Sequence, residues 1–363
     1  QSVEWLCNWT TTKFDTLRMQ GGVPWEADGW GLKRKDGWAR VVIDRLDLSA
    51  FSRSFIDIRP LSGIAVGSVY AEGLDSDFTL SGEVKFDGIQ MHLLGLDPIL
   101  PLPDGRVSFS GRTGILNTET RYDTDAYESM DLEGIIKLDT VVHPYWDVKM
   151  RTIGLKCLYG DVFRADEIDA ELKFMGDSQY SALSGAVALT NPIAEPVFVE
   201  LNALSLPPPP PTLKNPFLEN MRLNVDVDVY SLSVDSELAQ ILVSGGLGIG
   251  GTFYKPIFQG DASIEEGRVI ILGRSFEMEP SNVVFDGIEP TRSLIDVMYN
   301  PLQLDPELDL RASTKIVDGV DTDQEYTINM SLEGSATRVS PSFRSTPELD
   351  FNRVVNLLAF GTT

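Results

Sequence analysis

The sequence predicts an all-β protein whose strands repeat and whose sheet has one apolar and one charged face. Three observations support this class: strict alternation of apolar and polar residues, a recurring glycine-containing phrase, and the near absence of long helical periodicity. The alternation is clearest in LNVDVDVY, which starts at Leu223 and places Asp226 and Asp228 between valines. Because successive side chains of a strand point to opposite faces, this pattern predicts a sheet with one apolar side.

The recurring phrase defines the repeat. It occurs as LSGEVKF from Leu80, LEGIIKL from Leu132, LSGAVAL from Leu183 and VSGGLGI from Val243, with a weaker copy, LEGSATR, from Leu332. The first three copies are about fifty residues apart, a period that is also typical of kelch propellers. Kelch blades need regular double glycines followed by Tyr and Trp at set distances. The chain lacks that pattern, so we expect a repetitive sheet instead of a propeller.

One glycine stretch raises the possibility of a nucleotide site. Gly246, Gly248 and Gly251 have the G-x-G-x-x-G spacing of a phosphate-binding loop, which requires a helix directly after the glycines. The residues that follow, TFYKPIF from Thr252, favour a strand, and Pro256 disfavours a helix. We therefore expect these glycines to lie in the sheet, at a bulge or a close backbone approach.

Composition excludes one class of partner. The 363 residues include 54 acidic and 30 basic residues, for a net charge of -24. Nucleic-acid binding depends on Lys and Arg neutralising phosphates, so no nucleic-acid partner is expected, and the acidity indicates a solvated exterior. Cys7 and Cys157 are too few for a disulfide framework. The chain begins at Gln1 and has no apolar stretch of about 18 residues, so we expect a piece of a longer protein with any membrane anchor outside it.

Two segments interrupt the strand pattern. The proline run Pro207–Pro211 cannot continue a central strand, and a stiff connection is favoured over an SH3-type ligand. The end of the chain, STPELDFNRVVNLLAFGTT, predicts a helix with Thr346 or Asp350 as its cap and Gly361 at its terminus. Its apolar stripe fits equally well with packing on the sheet and with docking to a partner.

The sequence shows no residues for catalysis. His92 and His143 are the only histidines, and neither has metal-ligand spacing or a neighbouring catalytic motif. The acidic clusters at residues 123–128 and 318–325 lack the length and placed glycine of an EF-hand, so solvated loops are favoured over calcium sites. We expect a non-enzyme without metal or cofactor.

The C-terminal third contains four phrases in a fixed order between Leu223 and Gly361: VSGGLGIGGTFYKPIFQGDASIEEGRVIILG, PELDLRAS, YTINMSLEG and PSFRSTPELDFNRVVNLLAFG. In content and order these phrases resemble the TamB family. Upstream, the glycine-containing strands between Val41 and Leu206 are similar to AsmA-like repeats. These similarities divide the chain into an unassigned segment (1–40), AsmA-like repeats (41–206), a proline-rich connection (207–222) and a TamB-type C-terminal domain (223–363).

The resemblance implies a function as well as a shape. It implies an elongated, gutter-shaped sheet that crosses the periplasm, is anchored in the inner membrane and meets a BamA-like (TamA-type) outer-membrane barrel. It also implies a role in outer-membrane biogenesis, either conducting phospholipid or assisting the assembly or secretion of outer-membrane proteins. We expect glycines to let the strands curl tightly in such a sheet.

An apolar groove suits acyl chains, since each buried methylene contributes about 0.8 kcal/mol. The expected groove residues are Val84, Phe86, Ile136, Leu138, Val187, Leu189, Val227 and Val229. The expected docking residues of the terminal helix are Leu349, Val354, Leu357, Leu358 and Phe360. Two alternatives stay open: a chaperone-like scaffold that pairs a sheet edge with an unfolded barrel strand, and a closed β-sandwich array.

Overall fold

The computed structural model describes 21 strands and one α-helix. Strand makes up 78% of it, which confirms the predicted all-β class with a short C-terminal helix. Trp25, Trp30, the proline run and Asp321 lie outside the described residues. The described residues are 2–10, 16–24, 36–51, 58–73, 78–93, 97–140, 143–159, 163–177, 180–195, 220–288, 304–319, 324–335, 338 and 340–362.

The chain divides into two compact units. The first comprises Gln1–Tyr159 and Asp169–Ser184, and the second comprises Gly160–Ile168 and Gly185–Thr363. Two strands, β12 (Phe163–Gly176) and β13 (Ser181–Thr190), therefore contribute residues to both units.

The first unit is a succession of antiparallel strands, with β1 to β5 pairing in chain order. The sheet continues through β5–β7, β7–β8, β8–β10 and β10–β11, while the short strands β6 and β9 pair with β5 and β10. β1 and β2 come from the unassigned segment and join the sheet beside β3. The bounds are β1 (Ser2–Thr10), β2 (Thr16–Pro24), β3 (Trp38–Asp47), β4 (Ile58–Glu72), β5 (Thr79–Leu93), β6 (Leu100–Pro101), β7 (Gly105–Gly111), β8 (Thr113–Thr118), β9 (Arg121–Tyr122), β10 (Ser129–Thr140) and β11 (His143–Tyr159), with a 3₁₀ turn at Leu48–Phe51.

The second unit is an antiparallel succession from β15 to β21, followed by the helix. The short strand β14 pairs in parallel with β15 and antiparallel with the first residues of β12. The bounds are β14 (Ile193–Ala194), β15 (Met221–Asp235), β16 (Ala239–Thr252), β17 (Lys255–Ile271), β18 (Arg274–Ile288), β19 (Glu307–Val317), β20 (Glu325–Ser335), β21 (Ser342–Thr346) and α1 (Phe351–Phe360).

The glycine stretch lies in strand β16, and strand β17 follows it across a tight turn, so no phosphate-binding helix forms. A side chain is excluded where strands approach closely. Gly260 has φ 154°, and a Cβ there would overlap the carbonyl oxygen of Gly246. Gly82, the glycine of the first repeated phrase, has φ 128°, and a Cβ there would overlap the carbonyl oxygen of Ser68.

Of the three glycines for which a close backbone approach was expected, Gly251 shows it: its φ is 75°, and a Cβ there would overlap the Lys255 carbonyl oxygen. At Gly246 and Gly248 the nearest atoms would lie 3.3 and 3.4 Å from an added Cβ, so the expectation holds at Gly251 alone among the three.

The described residues form three hydrophobic clusters. In the first unit, one surrounds Ala65 and Val84, and another surrounds Tyr127 and Met130. In the second unit, the third cluster joins strands β18 to β20 to helix α1.

Candidate functional site

In the first unit, apolar residues form rows that cross the sheet from strand to strand. Ile136 lies directly opposite Gly114 on one side and Trp146 on the other, and its side chain is half-buried. The full row, read through successive strand pairs, is Val41, Val69, Gly82, Phe109, Gly114, Ile136 and Trp146.

A second row lies beside the first and contains Val84. Val84 is buried, whereas Phe86, two residues along the same strand, is half-buried, and both belong to one cluster with Leu46 and Ala65. The predicted groove residue Leu138 is half-buried opposite Pro144. The row through Val84 is Ile43, Gly67, Val84, Val107, Leu116, Gly134 and Val148.

Large side chains cover the glycine backbone within these rows. A Cβ on Gly114 would lie 2.8 Å from Cε1 of Phe109, because the phenyl ring lies over this glycine. At the edge of the sheet, the indole of Trp5 lies over Gly21 in the same manner. The alternation of bulky residues and glycines therefore keeps the apolar face packed without a bulky side chain on every strand.

The second unit repeats this arrangement. Val227 lies opposite Leu247, and Leu247 lies opposite Gly260. The adjacent row starts at Val229 and passes through Gly245 to Ala262. The predicted residues Val187, Leu189, Val227 and Val229 are all half-buried in this unit.

The opposite face carries charge in both units. In the first, Glu83 lies 3.6 Å from Nζ of Lys85 and 3.9 Å from Nε of Arg106. In the second, Asp226 and Asp228 alternate with the valines of β15 and are exposed. The predicted division into an apolar and a charged face is therefore present on these strands.

The terminal helix packs on its own sheet. Val354, Leu357 and Leu358 are fully buried in the cluster of the second unit, and Leu349 packs against that cluster. The Asp350 carboxylate accepts a hydrogen bond from the Arg353 amide at 3.1 Å, and Gly361 closes the helix in the left-handed conformation. Of the five predicted docking residues, Phe360 alone is exposed, at 77%.

A comparison with known families identifies the family of this chain. Residues 120–363 match the TamB C-terminal domain. The chain belongs to the TamB family. TamB proteins form a non-enzymatic transport and assembly module for the outer membrane and work with TamA-like partners, which places the family between the membranes of the envelope. A comparison with curated proteins gave no match.

The TamB match begins at residue 120, well before Leu223, from which the sequence motifs indicate the resemblance. It therefore includes Ile136 and Val187 as well as the terminal helix, whereas Val84 and Phe86 precede it. No helix in the described part of this TamB chain is long and apolar enough to cross a membrane.

Tyr127 is a fully buried residue of the first unit that the sequence pattern does not indicate. Tyr127 lies in the acidic segment of residues 123–128, where Asp123, Asp125 and Glu128 are exposed, as expected of a solvated loop. Its ring is fully buried, and its hydroxyl donates a hydrogen bond to the Pro101 carbonyl. Burial raises the pKa of the Tyr127 phenol from its ordinary value. The one sign of this burial in the sequence is that an aromatic residue stands within an acidic segment.

Among the described side chains, the remaining reactive groups do not assemble into a site. Burial raises the pKa of the Cys157 thiol, which disfavours the reactive thiolate, and Cys7 is exposed on β1. Among the residues with described side chains, no group of three potential ligands could hold a metal ion. The side chains of His92 and His143 lie outside the described ones.

Proposed function

We propose that this TamB-family chain conducts phospholipids, whose acyl chains bind along the apolar face of its sheet. It would form part of a bridge across the periplasm, anchored to the inner membrane by a segment outside this chain and reaching a TamA-type barrel in the outer membrane. The observation that carries the proposal is the row arrangement: half-buried apolar side chains such as Ile136 and Val227 line one face, while charged residues such as Asp226 and Asp228 lie on the other.

The half-buried apolar side chains favour acyl chains for two reasons, their exposed apolar area and the lack of direction in their contacts. Half-buried valines and isoleucines leave apolar surface that an acyl chain can cover, at about 25 cal/mol per Å² removed from water. Hydrophobic contacts have no preferred direction. An acyl chain can therefore move along the face without breaking a specific interaction. Polar and charged residues on the opposite face keep that side in water.

Native mass spectrometry after mild purification tests the proposal, with paired variants on strand β13. Val187→Asp places a charge on the apolar face, while Ala186→Asp places the same charge on the adjacent, exposed position. We expect phospholipid adducts on the wild-type chain and on Ala186→Asp, and loss of adducts from Val187→Asp.

Circular dichroism of both variants provides the folding control. Equal adducts on two folded variants, or no adducts on the wild type incubated with phospholipid vesicles, would contradict lipid conduction. If Val187→Asp unfolds, Val227→Asp supplies the same test on β15, where Val227 is half-buried.

A second candidate function is a scaffold for the assembly of outer-membrane proteins. The edge strand β1 favours it: β1 pairs with β2, and no described strand pairs with its other side. Val3, Trp5 and Leu6 on this strand are exposed, by 41%, 39% and 67%. An edge of this kind can accept a strand from an unfolded barrel protein.

Hydrogen exchange tests the scaffold. An unfolded barrel-strand peptide would slow the exchange of the β1 amides, and Leu6→Pro would abolish this protection because proline lacks a backbone N–H and disrupts strand pairing. Unchanged exchange in the presence of the peptide would exclude β1 as the binding edge.

A further inference from the structure

Helix α1 divides the apolar face of the second unit into a covered and an uncovered part. On strand β18, Phe276 is fully buried beneath the helix, whereas Val283 and Phe285 farther along the strand are half-buried. The adjacent strand β19 shows the same change, from Ala312 at 1% exposure to the half-buried Leu308. The two parts lie on the same strands, so the helix covers one end of the face proposed to bind lipid.

The helix makes the kind of contact that an acyl chain makes. Its buried residues, Val354, Leu357 and Leu358, are aliphatic and pack on Phe276 and Met330. An isolated helix of ten residues is marginal in water, so α1 depends on this packing for its structure. A ligand that makes equivalent aliphatic contacts would therefore compete with the helix for the same surface.

Polar contacts fasten the helix at its ends. The Arg274 guanidinium donates to the Leu358 carbonyl at 3.0 Å, and the Gly319 amide donates to the Gly361 carbonyl at 2.7 Å. At the start, the Leu349 amide donates to Oγ of Ser345 at 2.7 Å. These three hydrogen bonds hold the helix in one position on the sheet, which is called its seated state below. Displacement of the helix breaks all three.

The outward side of the helix is not wholly polar. Phe351 is 61% exposed and Phe360 is 77% exposed, one at each end of α1. These exposed aromatic residues form a second apolar surface on the helix. When the helix leaves the sheet, this surface can contact other apolar groups.

We propose that helix α1 is a displaceable cap over a terminal acyl-chain site formed by Phe276, Ala312, Ile328 and Met330. In the seated state the helix occupies this site, and in the displaced state an acyl chain takes its place. The proposal rests on the proposed lipid-conducting function and adds a regulated end to the apolar face.

A disulfide that fastens the helix tests the cap. A Cβ on Gly319 would lie 3.0 Å from the Gly361 carbonyl oxygen and 3.4 Å from Cγ2 of Thr362, so the pair Gly319→Cys and Thr362→Cys brings two thiols together when α1 is seated. Cys7→Ser and Cys157→Ser remove the native thiols. The oxidised and reduced forms of this one protein are compared after incubation with vesicles of phosphatidylethanolamine and phosphatidylglycerol.

We expect the reduced form to take up about twofold more phospholipid per chain than the oxidised form, because locking the helix removes the displaced state. Hydrogen exchange of the α1 amides should accelerate with vesicles in the reduced form alone. Gly319→Cys alone, treated identically, controls for the oxidant.

The outcomes separate the two proposals. Equal lipid uptake by the oxidised and reduced forms, with unchanged exchange in α1, would overturn the cap and leave lipid conduction intact. No lipid on the wild type or on either form would overturn lipid conduction, and the cap would fall with it.

Discussion

Ile135 and Ile136 are adjacent in strand β10 but lie on opposite faces of the sheet. Ile135 is 42% exposed between Glu133 and Lys137, whereas Ile136 is half-buried opposite Trp146. Two consecutive isoleucines therefore lie in different environments. A substitution at one of them is a control for the same substitution at the other.

The close strand approach at Gly260 predicts a large cost for any side chain there. Gly260→Ala should lower the free energy of unfolding by roughly 2–4 kcal/mol, because φ 154° strains an alanine and its Cβ overlaps a carbonyl oxygen. Urea denaturation measures the effect.

Gly248→Ala on the neighbouring strand is the control. A Cβ there would lie 3.4 Å from the Gln259 carbonyl, an ordinary contact, so stability should change by less than about 0.5 kcal/mol. Equal effects at the two glycines would refute the account of the strand approach.

The buried phenol of Tyr127 predicts both a stability change and a pH dependence. Tyr127→Phe removes the hydrogen bond to the Pro101 carbonyl and should cost about 1–2 kcal/mol at neutral pH. Burial raises the pKa of the folded phenol, with Arg121 acting in the opposite direction. The unfolded phenol ionises first as pH rises, so this contribution to stability is full below about pH 10 and is lost above it.

The difference in unfolding free energy between wild type and Tyr127→Phe should therefore narrow above about pH 10. Chemical denaturation at several alkaline pH values measures it. A difference that stays constant or widens with rising pH would show that the phenol is not held protonated by burial.

The contact between Arg274 and the end of α1 predicts a stabilising role for this arginine. Arg274→Ala should lower the free energy of unfolding by about 1.5–3 kcal/mol, because a charged donor to the helix C-terminus is lost. Arg268→Ala, which removes an exposed arginine bonded to Gln240, should change stability by about 0.5 kcal/mol or less. Indistinguishable losses in thermal unfolding would refute this role.

We predict that the exposed end of the helix binds a TamA-type barrel, the class of partner with which TamB proteins work. Phe360→Asp should weaken binding to the barrel about tenfold or more, since a large exposed aromatic side chain is the type that dominates interfaces. Asn356→Asp introduces the same charge at an exposed position on α1 and serves as the control. Binding measured by surface plasmon resonance that is unaffected by Phe360→Asp would remove this residue from the interface.

Sequence periodicity predicted the sheet and its two faces because a strand alternates at every residue. The valines of LNVDVDVY and the aspartates between them occupy opposite faces, as expected. The glycine of the phrase at Gly82 was also informative, since only glycine tolerates such an approach between strands. The family resemblance beginning at Leu223 pointed to the TamB assignment.

Long-range packing could not be predicted from these local patterns. The stripe of Val354, Leu357 and Leu358 was consistent with docking outward and with packing inward, and only the tertiary structure places it in the core. Likewise, nothing adjacent to Tyr127 indicates that its hydroxyl reaches Pro101, because that contact depends on how distant strands meet.

Site-specific photo-crosslinking along β10 tests the central claim most directly. Benzoylphenylalanine replaces Ile135, Ile136, Lys137 or Leu138 one at a time, and the folded chain is irradiated with vesicles of phosphatidylethanolamine and phosphatidylglycerol. Lipid conduction on the apolar face predicts phospholipid crosslinks at positions 136 and 138 and none at 135 and 137. Crosslinks of equal yield on both faces, or none at 136 and 138, would contradict it.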